Sequence, residues 1–482
     1  MEFYGRPMIA ATLLMIVCCI LSFMNPISAC VFFVLFLLLF IFGIISKFNY
    51  RILASLFAVI LFLGSLTLTN HKSFLIQNLE GKTLRVELVA ISDTEYNDDY
   101  NSVEVISLSK DKIPKFSKFQ LRFNKGFDVY GGQRFIAKVR FSTLAEGKSK
   151  SNFYSRNIFI NSYAERIEEF NGNNIFFSSL SELRKVVLTR ISDNLSINSS
   201  AFLKGLVLGD DSSIDYKTID AIRRCGVSHM IVVSGLHLSI VITGLNAVVN
   251  AFLFNRKIKS LISIVAVLAI MCICGFTVSV VRAAIMSITV SMAPILKREN
   301  DSINSLGFAV FLILLQSPYA IYSLSFQYSV LATLAIVWIV PFYSDIMQLV
   351  CKSKVVRKIS GILTTTIIAT VFTLPVTISN FGEVSIISPI TNIILNYPVT
   401  YALIFTVIGA IINSGFVFKA AGLCADFSLY VIGKFGNLNA ATKNMGYTPF
   451  VLLMFVTLIV PLIFSLYKYK KRKGSEEDGN ND

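Results

Sequence analysis

Val31–Ile45 reads VFFVLFLLLFIFGII and Leu452–Leu466 reads LLMFVTLIVPLIFSL, and neither stretch carries a charge. A hydrophobic run near 20 residues is long enough to cross a bilayer as a helix. In hydrocarbon only helices and closed barrels satisfy their backbone hydrogen bonds, and no period-two alternation runs through most of this chain. The expected fold class is therefore a polytopic α-helical membrane protein. Composition agrees. Of 482 residues, 54% are hydrophobic and 15% charged, and mean hydropathy is +0.67. A soluble domain is about 25% charged.

Outward from these runs, three spans are expected first, near 8–24, 28–45 and 52–68. The second run follows the first almost at once, so retained spans are expected rather than a cleaved leader. Nine more follow, near 229–250, 258–276, 279–296, 305–316, 326–342, 359–378, 387–412, 417–433 and 450–466, about 12 spans in all. Lys47 and Arg51 put the second loop in the cytoplasm by the positive-inside rule. The N-terminus is then inside, and the polar region after the third span outside. Alternation places 255–259, 297–301, 344–358, 413–419 and the C-terminal tail inside. Those loops hold Arg256, Lys257, Lys297, Arg298, Lys352, Lys354, Arg357, Lys358, Lys419 and the basic run Lys468–Lys473. The net charge of +15 is thus largely a matter of topology, and weak evidence by itself for an anionic partner. The protein is expected in the cytoplasmic membrane.

Residues 71–180 change pattern. Short β-rich stretches, Leu84–Ile91, Ser102–Leu108, Lys118–Asn124, Gln133–Ser142 and Arg156–Tyr163, alternate with turn formers such as Tyr96–Asp99 and Gly131-Gly132. Five short strands predict an inserted small β domain, OB-fold-like, with a hairpin-rich sandwich as the alternative. The region holds no cysteine and so no internal disulfide. The eight cysteines show no metal-ligand spacing, and three histidines (His71, His229, His237) make no metal cluster. Neither a metal nor a cofactor is expected. Residues 181–226 read as amphipathic interfacial helices, beginning with Ser181–Leu195 and capped by Ser181. Residues 227–468 form the second helical block, and 469–482 an acidic, polar tail expected to be disordered.

Gly205–Gly244, GLVLGDDSSIDYKTIDAIRRCGVSHMIVVSGLHLSIVITG, is charged first and apolar afterwards. Ser213 is a plausible cap for a short helix to Arg224, ended by Gly226. Ser228, Gly235 and Ser239 fall on one helical face, and small residues there permit close helix approach. Ser234 and His237, three apart, could act as nucleophile and base. No acid is placed to orient His237, so a polar pathway lining is the better reading. Asp210 and Asp211 precede this helix, and such a pair more often caps a loop than meets a cation. Arg282 stands in an apolar run, where it must face a polar cavity, face an anionic partner such as a phosphate, or snorkel to the headgroups. Gln327 is a milder case. Ser142–Ser149 imitates a phosphate-binding loop, but Ser142 replaces the first glycine, and no motor is visible.

In its motifs the chain resembles the ComEC family of competence proteins. They are GLVLGDD (Gly205–Asp211), IRRCGVSHMIVVSGLHLS (Ile222–Ser239), SVVRAAIM (Ser279–Met286), SPYAIYSLSFQYSVLAT (Ser317–Thr333) and FGEVSIISPITNIILNYP (Phe381–Pro398). The resemblance implies a membrane channel importing single-stranded DNA during natural transformation. Path candidates on these motifs are Asp210, Asp211, Arg223, Arg224, Ser228, His229, Ser234, Gly235, His237, Arg282, Gln327 and Asn392. On the β domain, Phe119, Phe123, Phe127, Tyr130 and Phe135 alternate with Arg122, Lys125 and Arg134. Arg122, Lys125, Phe127, Tyr130 and Arg134 are the external DNA-binding candidates, although core filling is the plainer reading of any single aromatic. Many relatives add a metallo-β-lactamase-like domain that is absent before Asp482. The implied partners are single-stranded DNA, the bilayer, a separate DNA receptor, a cytoplasmic motor ATPase, a separate nuclease and a second copy of the chain. No catalytic residue is expected. The alternatives are an intramembrane hydrolase using Ser234 and His237, and a transporter of a small anionic solute or lipid.

Overall fold

The computed structural model describes residues 12, 15–16, 37, 50–96, 100–108, 113–124, 127–144, 148–210, 212–230, 237–238, 240–244, 255–275, 278–296, 301–341, 343, 353–438 and 441–444. The expected spans at 8–24, 28–45 and 450–466 lie outside them, save isolated positions. The helices are α1 (Tyr50–Gln77), α2 (Lys148–Ser155), α3 (Ile175–Asn194), α4 (Ile197–Leu208), α5 (Tyr216–Arg224), α6 (Arg256–Ile273), α7 (Val278–Leu296), α8 (Ser302–Gln316), α9 (Leu324–Leu334), α10 (Lys354–Phe381), α11 (Ser388–Ile412) and α12 (Gly415–Gly436). The strands are β1 (Thr83–Ala90), β2 (Glu95–Tyr96), β3 (Asn101–Ser107), β4 (Lys118–Phe123), β5 (Gln133–Ser142), β6 (Asn161–Asn173), β7 (Glu383–Ser385) and β8 (Thr442–Asn444).

The protein is mostly helical. Among the described residues, four helices are long and apolar enough to cross a membrane: Ser55–Gln77 within α1, Ser360–Asn380 within α10, all of α11 and all of α12. That is fewer than the expected 12. The segments expected at 279–296, 305–316 and 326–342 are helical, but their apolar stretches are Val280–Met292, Ser302–Gln316 and Leu324–Ile339, short of that length. The last includes a π-helical turn, Ala335–Ile339.

The chain divides into two compact units. One comprises Met1–Ile214, Met230–Phe326 and Thr400–Asp426; the other comprises Asp215–His229, Gln327–Val399 and Phe427–Asp482.

In the first unit α1 runs nine residues past its expected end, and Ile76 joins the core of the β domain. That domain is a closed barrel. The strand order is β1-β5-β6-β4-β3, β1 also pairs with β3, and β2 hangs on β3. The β4–β6 pair is parallel and every other pair antiparallel. Five strands closed with a crossover are consistent with an OB-fold. Alternate residues point inward, as a pleated strand requires, so Val86, Leu88, Val103, Val105, Phe119, Leu121, Phe123, Phe135, Val139 and Phe141 fill the interior.

Two boundaries differ from expectation. The fifth barrel strand is Asn161–Asn173, not Arg156–Tyr163. The residues before it form α2 and a turn closed by Asn157, whose φ of 60° ends the helix. The helix α3 begins six residues before Ser181, because Asn174 is the cap and accepts from the amides of Phe176 and Phe177. Ser181 instead donates to Asp93 at 2.5 Å. A Cβ on Gly132 would lie 2.4 Å from the Ser178 amide nitrogen, so only glycine lets this turn meet α3.

The helix α3 also holds other helix ends. Arg184 donates to the carbonyls of Leu208 (3.3 Å) and Ile273 (3.2 Å), and Arg190 to that of Ala410 (2.5 Å). Cations belong at C-terminal helix ends, where carbonyls lack partners. Arg184 and Arg190 are separated by about 9 Å of helical rise, so one helix serves the ends of α4, α6 and α11.

Candidate functional site

The second unit joins two of the motifs read from the sequence. Asp215 caps α5, accepting from the Thr218 amide at 3.1 Å, and its hydrogen bonds to Thr218 hold this carboxyl below its usual range. Ser213, the expected cap, lies two residues too early. At the other end, the last carbonyls of α5 need donors. Ser385 donates to the Arg224 carbonyl at 2.7 Å, Thr391 to that of Cys225 at 2.8 Å, and Ser388 to that of Gly226 at 3.4 Å. Asn392 donates to the Ser388 carbonyl (2.7 Å) and hydroxyl (3.0 Å). Hydroxyls on β7 and at the start of α11 thus serve as donors for the end of α5, and the opposed helix ends are favourable in their dipoles.

Gly226 makes the approach possible. Its φ is +71°, and a Cβ there would sit 2.6 Å from Ser388 Cβ. The Cys225 thiol is pushed up to about 11 by burial, against the pull of Arg224, and donates to the Ile432 carbonyl at 3.4 Å. Arg224 donates to the Leu438 carbonyl at 3.0 Å, and Arg223 pairs with Asp220 at 3.1 Å. Of the residues in this knot, sequence reasoning picked Arg223, Arg224 and Asn392. It missed Cys225, Ser385, Ser388 and Thr391, although the run of small hydroxyl residues at 385–391 was a usable signal. Ser228 is exposed in a 3₁₀ turn at Ser228–Met230. Gln327 is half-buried near the start of α9, and its neighbour Tyr328 donates to Thr377 at 3.1 Å.

The first unit holds the other path candidates. His237 is 4% exposed and Arg282 6% exposed. Their chain neighbours Leu238, Ala283 and Ala284 share one apolar cluster with Ile242 and Val267. Alanines permit this close packing. Arg282 is therefore enclosed by protein rather than snorkelling outward. Asp210 follows the left-handed cap Gly209 and accepts from the Ser212 hydroxyl at 2.6 Å, a local turn. Asp211, Ser234, Gly235, the His229 side chain and Lys125 lie outside the described residues.

On the barrel the aromatic set splits. Phe119, Phe123 and Phe135 are core. Phe127 and Tyr130 are 48% and 44% exposed. The Lys185 ammonium lies over the Tyr130 ring at 5.1 Å, and the Arg122 guanidinium over Tyr100 at 4.8 Å. Arg134 is half-buried, with Nε lacking a hydrogen-bond partner among the described residues. Those residues hold no group of three or more His, Cys, Asp or Glu suited to a metal ion.

A family described as "Competence protein" matches residues 206–470, more than half of the 482. The chain belongs to the competence-protein family. Both site clusters fall within the matched segment. This competence-family chain is also 24% identical over 213 residues to ComE operon protein 3 of Bacillus subtilis (strain 168), an alignment covering 44% of this chain and 26% of that protein. The match thus spans about a quarter of the relative's length. No solved structure matches the chain. Family and apolar helices together make it a membrane protein.

Proposed function

We propose that this chain forms the passage by which single-stranded DNA crosses the cytoplasmic membrane during natural transformation. The observation that carries the reading is Arg282. It is an always-charged side chain on an apolar helix, enclosed by its neighbours and close in the fold to the buried His237 segment. An ionisable side chain enclosed at membrane depth marks a substrate or ion pathway, and a phosphate backbone is an anion suited to a path that such a cation lines. Membership of the competence family supports the same cargo. In this reading about 12 segments are embedded in the bilayer, the barrel stands outside, and a DNA receptor and a motor ATPase are separate partners.

The test is import of labelled DNA into the cytosol of a strain lacking this chain. Complementation restores import, and Arg282→Ala lowers it by about tenfold or more, the loss of one charged hydrogen-bonded contact. Undiminished import in the Arg282→Ala strain, at equal protein level in the membrane, overturns the proposal.

A further inference from the structure

The outer face of the barrel carries a cationic and aromatic row that, apart from Arg122, the sequence-derived candidates do not include. Strand register creates it. Arg122 on β4 is the cross-strand partner of Tyr163 on β6, and Tyr163 is also the partner of Arg140 on β5. Neighbouring strands lie about 4.8 Å apart, so one ring has a guanidinium-bearing residue on each side. The flanking residues Leu121, Phe123, Val139, Phe141, Ser162 and Ala164 are buried, and the row therefore points outward. Tyr163 is 37% exposed and donates to Asn124 Oδ1 at 2.5 Å. Tyr100 lies under Arg122 and extends the row.

Several nearby cations are already matched. Arg85 pairs with Glu168 at 2.6 Å, Lys138 with Glu165 at 3.2 Å, and Lys118 (2.7 Å) and Arg156 with Glu104. Among the described residues, neither Arg122 nor Arg140 forms an ion pair. Two uncompensated guanidiniums beside the exposed Tyr163 ring suit a strand with unpaired bases: the cations follow phosphates, the ring stacks on a base face, and no base edge is read.

We propose that Arg122, Tyr163 and Arg140, with Tyr100, form a binding site for single-stranded nucleic acid on the barrel. This rests on the reading of the chain as a DNA passage. The test is fluorescence anisotropy of the full-length protein in detergent with labelled oligo-dT, an abasic oligomer of equal charge, and a duplex. Wild type prefers oligo-dT to both others. Tyr163→Ala weakens oligo-dT by about 5- to 150-fold, the range for one stacked base, and leaves the abasic oligomer unchanged. Tyr163→Phe keeps wild-type binding. Replacing Arg122 and Arg140 together by Gln reduces the log–log salt slope by about 1.4, near 0.7 per phosphate contact on a single strand. Arg85→Gln on the same barrel controls for folding and changes none of these. Equal binding of abasic and oligo-dT strands, or wild-type affinity in Tyr163→Ala, overturns the site. Import in cells separates the two readings: Tyr163-dependent binding without import sinks the passage alone, and import with Tyr163-independent binding sinks this site alone.

Discussion

Gly226 and Gly382 both adopt positive φ, +71° and +72°, but only Gly226 has a neighbour in the way of a Cβ. The pair separates backbone strain from close approach. Gly382→Ala is expected to cost about 1–2 kcal/mol through left-handed strain alone. Gly226→Ala adds a collision with Ser388 and is expected to cost about 3 kcal/mol or more, read as a larger fall in melting temperature of the detergent-solubilised protein. Thr391→Val removes the donor to the Cys225 carbonyl and should cost about 1 kcal/mol. The buried Cys225 thiol, with its pKa raised to about 11, is little ionised at neutral pH. Thiolate is the reactive form, so alkylation of Cys225, read by mass spectrometry, should be slow in the native protein and rapid after denaturation. Fast native alkylation would contradict its burial. At this scale Arg282 and Asn392 stood out in the sequence as polar residues in apolar runs. Tyr163 and Arg140 did not, because only strand register makes them neighbours.

Among the elements, β3, β4 and the turn after α2 meet at Glu104. Burial pushes its carboxyl up, but Lys118 and Arg156 outweigh it and hold the carboxyl below its usual range. A carboxylate depressed in the folded state contributes stability above its unfolded pKa, near 4.3, and loses it as pH falls through the folded value. Hydrogen-exchange protection of β3 and β4 should therefore fall as pH drops below about 4. Glu104→Gln should lower that protection at neutral pH and flatten its pH dependence. Elsewhere, β5 was legible over its full length from alternation, Phe135, Ala137, Val139 and Phe141 inward. The strand β6 was not, because NSYAERIEEFNGN buries small Ser162 and Ala164 and otherwise shows charge. Its pairing comes from partners on both sides rather than from its own hydrophobicity.

For the whole molecule, the charge pattern makes a testable statement about sidedness. Alternation places Ser212 outside and Ser414 inside. Single cysteines at Ser212→Cys and Ser414→Cys in a cysteine-free chain should therefore differ: an impermeant maleimide labels the first in intact cells and the second only after permeabilisation. Labelling of both in intact cells would overturn simple alternation. The chain's own sequence determined that it lives in a membrane, that a β barrel interrupts its helices, and which family it joins. Those properties depend on apolar run length, period and local motif, all of which a linear string records. Tertiary structure alone decided that the Ile222–Ser239 and Phe381–Pro398 motifs lock together through hydroxyl-to-carbonyl bonds, that Arg282 is enclosed, and that an outward row of Arg, Tyr and Arg crosses three strands. Each of these depends on which distant residues come within a few ångströms, and hydrogen bonds and packing act only at that range.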